Sequence, residues 1–291
     1  MTQRRQTTRQ GLRFPDFLCI GAQKGGTSWL YMNLDRHPDV WLAPVKELHY
    51  LDQLYAKREG EEEWRQRGQR ALARLARLRP ARADGSDEAV GALFATATVS
   101  DEWYGSIFAL APSGSICGEM TPSYALLPDD GIRHLVALNP DAKILFLVRD
   151  PIERALADMR MLLNRRDRHP RGQTPPHRDD EVDSEVLKLS RYSETLRRYR
   201  RHIDERAIWI GDFDRLAGDA QALLRDVCTF LGVKFDERLF PEMRQKVNVG
   251  VSRVVGGAAY DRLKEELEPE YDELAQIIPE SASRWKTRHY G

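Results

Sequence analysis

The 291-residue sequence predicts an α/β fold: a single domain with a central parallel sheet flanked by helices. Three observations carry that expectation. Short apolar runs alternate with stretches of helical periodicity along the chain. One run, Lys143-Ile144-Leu145-Phe146-Leu147-Val148, is the most hydrophobic of the sequence and apolar on both faces, as the centre of a parallel sheet requires. The first run, Phe17-Leu18-Cys19-Ile20, leads into a turn holding Gly21, Gly25 and Gly26, and then into helical spacing from Trp29 onward. Strand, glycine turn and helix start expose N–H groups at the positive end of a helix dipole, which suits a phosphate or sulfate. The architecture expected is therefore P-loop-like and nucleotide-binding.

The elements follow in order. The first helix stops at Arg36-His37-Pro38-Asp39, since proline restricts the residue before it. Val40-Trp41-Leu42 reads as a short second strand, followed by the segment 44–52. Residues 59–82 form an amphipathic surface helix, with Leu72, Leu75 and Leu78 in register and a solvated charged face. A loop at 81–86 precedes helix at 90–97 and 103–110. Residues 116–119 are a strand, and 132–138 a helix ended by Asn139-Pro140. After the strand at 143–148, Arg149-Asp150-Pro151 opens a helix over 152–163 with proline in its first turn. Residues 164–183 are polar and hold Pro170, Pro175 and Pro176, a long loop of the kind that covers or contacts substrates. A helix at 184–203, a strand at 207–210, a helix at 217–231 closed by Gly232 and a loop at 246–257 complete the domain. Two short helices, 260–268 and 270–278, are expected near the C-terminus. Residues 1–13 are polar and basic and read as a flexible N-terminal arm.

Composition bounds the partners. Lys and Arg number 45, as do Asp and Glu, so the net charge is zero, which argues against a general nucleic-acid binder. A local cationic pocket remains compatible with that balance. Cys19, Cys117 and Cys228 lie far apart, without the C-x-x-C spacing of a zinc site, and suit buried thiols in a reducing compartment. No apolar run approaches the roughly 18 residues of a membrane helix. The N-terminus lacks the apolar stretch of a secretory signal. A cytoplasmic location is the expectation, with no membrane partner; the oligomeric state is left open.

The glycine turn differs from a Walker loop, G-x-x-x-x-G-K-[ST]. Gly21 and Gly26 have the right separation, but the lysine, Lys24, sits inside the loop, and Thr27 stands where an NTPase places it. A second anion signal is Arg149, at the carboxyl end of the buried strand beside a helix start, where open α/β sheets bind ligands. Its fork matches phosphate oxygens in pairs. The plainer reading of Arg149 is a cap contact with Asp150 or Glu153.

Gln23-Lys24-Gly25-Gly26-Thr27-Ser28 resembles the 5′-phosphosulfate loop of PAPS-dependent sulfotransferases, especially the bacterial and heparan-sulfate-type branch. PAPS is 3′-phosphoadenosine 5′-phosphosulfate, and PAP its desulfonated product. The pattern Arg149-x-Pro151-x-x-Arg154 resembles the family's 3′-phosphate motif, whose serine eight positions on is Ala157 in this chain. Arg160 is a candidate substitute. Lys46-Glu47-Leu48-His49-Tyr50-Leu51-Asp52 resembles the branch's K-E-x-H-[FY]-[FL]-D segment, whose glutamate serves as base. Gly118-Glu119-Met120-Thr121-Pro122-Ser123-Tyr124 resembles G-E-K-[ST]-P-[SA]-Y, with Met120 replacing the lysine. Further along, residues 211–216 and Phe230-Leu231-Gly232 follow the family's order, and Val247-Asn248-Val249-Gly250 stands where it has a cofactor-covering loop. The resemblance runs from about residue 14 to Trp285, so 14–291 is read as a sulfotransferase domain.

The resemblance implies a cofactor site of Gln23, Lys24, Gly25, Gly26, Thr27, Ser28, Trp29, Arg149 and the departing Ala157. It implies catalytic Lys24 and Glu47, with His49 the reserve base. Tyr50, Tyr55, Tyr124 and the 164–183 loop are candidates to line the acceptor pocket. No H-E-x-x-H or comparable cluster of metal ligands is read from the sequence, so no metal is expected. The alternatives are a P-loop kinase using ATP and magnesium, opposed by the lysine's position, and a non-catalytic nucleotide-binding module, favoured by Ala157 and Met120.

Overall fold

The computed structural model describes residues 11–56, 59–75, 84–166, 182–245, 247 and 255–291. Five strands, β1 (Phe17–Gly21), β2 (Val40–Leu42), β3 (Ile116–Met120), β4 (Lys143–Val148) and β5 (Ile208–Asp212), form one parallel sheet in the order β2-β3-β1-β4-β5. Side chains alternate across a strand, so successive residues enter different cores. On β4, Ile144, Phe146 and Val148 point into one core, and Leu145 and Leu147 into the other. On β1, Leu18 and Ile20 divide from Phe17 and Cys19 in the same way. Both faces are covered, which is why these runs read as continuously apolar.

The helices are α1 (Thr27–Leu34), α2 (Tyr50–Ala56), α3 (Glu61–Leu75), α4 (Ser86–Ala95), α5 (Asp101–Phe108), α6 (Asp129–Leu138), α7 (Pro151–Arg166), α8 (Ser184–Lys188), α9 (Tyr192–Arg200), α10 (Arg215–Gly218), α11 (Ala220–Leu231), α12 (Gly257–Ala275) and α13 (Pro279–Tyr290). Helices α1 and α11 cover one face, and most of the others the opposite one. Chain connections leave β1 toward β2 on one side and reach β4 on the other. Ligands of open α/β sheets bind at such a switch point, beyond the carboxyl ends of the strands.

The helix expected over 184–203 is broken into α8 and α9. The Val186 carbonyl accepts from the Ser190 hydroxyl (3.0 Å) and from Arg154 Nη2 (2.8 Å). Arg154 is fully buried and also donates Nε to Ser190 Oγ (2.8 Å). Glu270 then restarts the helix by accepting from Ser193 N–H (2.8 Å). Two further expectations change. The helices expected at 260–268 and 270–278 are one helix, α12, running through Pro269, whose missing N–H faces solvent beside exposed Glu265. Helices α2 and α13 were not expected from the sequence. The helix expected to 82 is described only to 75, and the long loop at 164–183 and most of 246–257 lie outside the described residues. Arg13 is already docked, with Nη2 donating to Asp16 Oδ2 (2.8 Å) and Ser115 O (2.5 Å).

Two carboxyls are buried in this framework. Burial pushes both Glu119 and Glu270 up to about 7, despite hydroxyl donors on each. In the unfolded chain each would lose its proton near 4.5. The stabilising, protonated form is therefore fully present below about 4.5 and is lost as pH rises to about 7. The melting temperature should fall across that window, and Glu119→Gln should flatten the fall. Circular dichroism melts at the two ends of the window test this; equal slopes for both proteins would contradict it.

Candidate active site

The glycine turn is packed down onto the end of β4. Ala22 N–H donates to Leu147 O (2.7 Å), and Gly25 N–H to Ala22 O (2.9 Å). A Cβ on Gly25 would lie 2.6 Å from Leu147 O, so only glycine fits there. Gly26 has φ 91°, and a Cβ on it would lie 2.8 Å from the Phe213 ring. Helix α1 has no side-chain cap, and a backbone bond runs from Leu30 N–H to Gly26 O (3.1 Å). Helix geometry leaves the amides of Thr27, Ser28 and Trp29 without an intrahelical acceptor. The Trp29 ring itself is buried, its indole N–H donating to Met243 O (2.7 Å), so only its backbone faces the turn. Gln23, Lys24 and Ser28 are partly exposed on the turn.

The guanidinium of Arg149 lies 5.0 Å from the centre of the Phe213 ring, the same ring that abuts Gly26. The two anion signals are thus neighbours, joined by one aromatic side chain. Arg149 also pairs with Glu153 at 3.4 Å, the plainer contact foreseen for it. Helical spacing puts Glu153, Ala157, Arg160 and Met161 on one face of α7. Lys24 Nζ lies 3.7 Å from Met161 Sδ. The face carrying Ala157 therefore runs from the Arg149 end to the Lys24 end, about 12 Å at 1.5 Å per residue.

The third component stands at the end of β3. Glu47 N–H donates to Met120 O (3.0 Å). Lys46 Nζ donates to Glu47 Oε1, and His49 Nε2 lies 3.6 Å from Glu47 Oε2. His49 Nδ1 meets Asp52 Oδ2 at 2.7 Å, and the Ser123 hydroxyl donates to the same oxygen at 2.7 Å. The charges alternate along Lys46, Glu47, His49 and Asp52. Burial opposes the charge on Glu47, but Lys46 and His49 override it and hold the carboxyl well below the usual range. The side chain is 42% exposed, so solvent screens part of this effect. Burial also opposes charge on His49, yet Asp52 and Glu47 raise it above its ordinary value.

Lys24 (φ 66°), Glu47 (φ 67°) and His49 (φ 55°) are the non-glycine residues with left-handed backbone among the described residues. That conformation costs about 1 kcal/mol or more per residue. All three are the residues nominated as catalytic from the sequence. Helix α3 helps hold the strained turn: Arg67 Nη1 donates to Glu47 O (3.0 Å), and the Trp64 indole to Leu48 O (2.8 Å).

Two of the expected pocket residues are corrected. Tyr50 and Tyr124 are fully buried and cannot line a pocket; the Tyr124 hydroxyl accepts from the amides of Tyr50 (3.0 Å) and Leu51 (3.2 Å). Tyr55 is exposed and bonded to His134 (3.0 Å). Met120 is buried in the core beneath α1, so position 120 contributes no charge. Asp52, Ser123 and Phe213 were not assigned roles. Each lay inside a segment already matched to the family: Asp52 in 46–52, Ser123 in 118–124 and Phe213 in 211–216. Among the described residues no group of three or more His, Cys, Asp or Glu is arranged to hold a metal, and no helix is long and apolar enough to cross a membrane.

Comparison with known proteins gives the family and the fold. The chain is 27% identical over 226 residues to heparan sulfate glucosamine 3-O-sulfotransferase 6 of Homo sapiens, covering 76% of this chain and 53% of that protein. It is 26% identical over 227 residues to heparan sulfate glucosamine 3-O-sulfotransferase 3B1 of Mus musculus, covering 76% and 47%. The chain thus spans about half the length of the curated relatives it matches. In fold it is similar to a sulfotransferase from Alicyclobacillus acidocaldarius, with TM-score 0.65, 21% identity and coverage of 94% and 98%. A sulfotransferase domain from the curacin biosynthetic pathway superposes with TM-score 0.56, 16% identity and coverage of 90% and 98%. The model of the sulfotransferase family matches residues 15–237, and the chain belongs to that family.

Proposed function

We propose that this chain moves a sulfonate group from PAPS to a hydroxyl or amine of a carbohydrate or small-metabolite acceptor by in-line displacement, without a metal. The observation that carries this reading is the shared contact on Phe213, whose ring abuts both Gly26 of the anion turn and Arg149. Two such seats suit a nucleotide with one phosphate on the ribose and another at its 5′ end. Family membership supports PAPS as donor. Relatives named for heparan sulfate glucosamine support carbohydrate as one acceptor class.

In the reaction, the bond from sulfur to the 5′-phosphate oxygen breaks, a bond from sulfur to the acceptor forms, and the acceptor's proton passes to Glu47. Lys24 and the first-turn amides of α1 hold the charge that grows on the departing phosphate. Arg149 exchanges Glu153 for the 3′-phosphate. Ala157 offers no hydroxyl, and Arg160 is the cation in helical register with it. His49, favoured as the imidazolium between two carboxylates, orients Glu47 rather than replacing it as base. Lys46 keeps Glu47 ionised but weakly basic. An acceptor that displaces Lys46 from Oε1 strengthens the base at the moment it is needed.

Three substitutions and one metal-removal experiment test this reading. Glu47→Gln should lower sulfonate transfer by roughly a hundredfold or more while PAP binding holds; equal turnover would remove Glu47 as base. Lys24→Ala should weaken both transfer and PAP binding, measured by radiolabelled sulfate transfer and calorimetry, and wild-type transfer should persist in EDTA. Lys46→Ala should raise the proton affinity of Glu47, so the acidic limb of the kcat/KM profile moves to higher pH. An unmoved limb would show that Lys46 does not set the base.

A further inference from the structure

The carboxyl ends of β4 and β5 carry three carboxylates, Asp150, Asp212 and Asp214, next to the residues that would seat an anion. Asp150 directly follows Arg149, and Asp214 directly follows Phe213. Left unpaired, they would oppose a phosphate there. Helix α13 supplies the compensation. Arg288 Nη1 donates to Asp150 Oδ2 (3.0 Å) and Nη2 to Asp214 Oδ2 (3.1 Å), so one fork bridges the two strand ends. His289 Nε2 also meets Asp150 Oδ2 (2.9 Å), and Trp285 Nε1 donates to Asp214 Oδ2 (2.9 Å). Ser281 (2.6 Å) and Arg284 occupy Asp212 Oδ2. The other oxygen of Asp150 accepts from Tyr271 of α12 (2.9 Å) and from the amides of Ile152 (3.1 Å) and Glu153 (3.3 Å) at the start of α7.

Resting on the cofactor reading above, we propose that Arg288 is a positioning residue for cofactor binding. By bridging Asp150 and Asp214, it fixes Arg149 against Phe213 and neutralises the acidic strand ends beneath the 3′-phosphate. It acts through those residues rather than by touching the nucleotide. It lies beyond residues 15–237, the stretch matched by the family model.

The test compares wild type, Arg288→Ala and Arg288→Lys in full-length protein, by PAP calorimetry, steady-state kinetics and thermal melts. For Arg288→Ala the PAP Kd and the KM for PAPS should rise roughly tenfold, because Asp150 and Asp214 lose a shared partner. The kcat at saturating PAPS and the KM for acceptor should stay within about twofold. Lysine keeps the charge and holds one carboxylate but cannot bridge both as a fork, so Arg288→Lys should fall between the two and decides the matter if alanine does not fold. Asp214→Asn added to Arg288→Ala should recover part of the affinity. Unchanged PAP affinity in Arg288→Lys, or a lowered melting temperature in Arg288→Ala with unchanged Kd, overturns the proposal alone. Failure of wild type to bind PAP overturns the cofactor reading, and this proposal with it.

Discussion

The close approach of the glycine turn to the end of β4 is the constraint on which the site depends. Gly25 can have no side chain because Leu147 O fills the space a Cβ would need. The Ala22 amide closes on the same carbonyl. That contact sets where α1 begins, and hence where its first-turn amides point. It also brings Gly26 against Phe213, and through that ring fixes the distance to Arg149. A bulkier turn would lift α1 off the sheet and separate the two cationic groups together.

Strain is concentrated where chemistry is proposed. Lys24, Glu47 and His49 adopt backbone that side chains disfavour, and the surrounding framework holds them there. Around Glu47 and His49 the restraints come from three directions: the Met120 carbonyl, the α3 donors Arg67 and Trp64, and the buried Glu119–Tyr124 pair beneath the start of α2. Tyr104 donates to the same Glu119 carboxyl. The buried carboxyl thus has a structural use that offsets its desolvation, as the acceptor anchoring two tyrosines.

Legibility from sequence followed the range of the interactions involved. The β1–turn–α1 unit was readable because glycine, helix start and apolar strand are adjacent in the chain. Arg149 was readable because strand-end position is itself a local feature. Glu47 and His49 came through a contiguous segment resemblance. What failed to show was set at long range. The break between α8 and α9 depends on Arg154, 32 and 36 positions away. The course of α12 through Pro269 depends on which face is buried, not on local propensity. Tyr50 and Tyr124 looked like pocket residues because aromatic character alone does not reveal that their hydroxyls are occupied inside the core. Phe213 lay in the matched segment 211–216 but was given no role, since its importance comes from the two groups that pack against it.

Helix α13 was invisible for the same reason and shows how charge is managed in this fold. Its Arg288 is paired with residues 138 and 74 positions away, so no local pattern marks it. From it Ser281, Arg284, Trp285, Arg288 and His289 each meet a strand-end carboxylate. The same alternation recurs at Lys46, Glu47, His49 and Asp52. Among the described residues, the acidic groups near the proposed anion site are therefore covered before any ligand arrives, while Arg149 rests on the Phe213 ring and pairs with Glu153 at 3.4 Å. An anion that competes for that arginine displaces one modest ion pair instead of dismantling a network. The chain can remain electrically neutral overall and still present a local attraction for a multiply charged nucleotide.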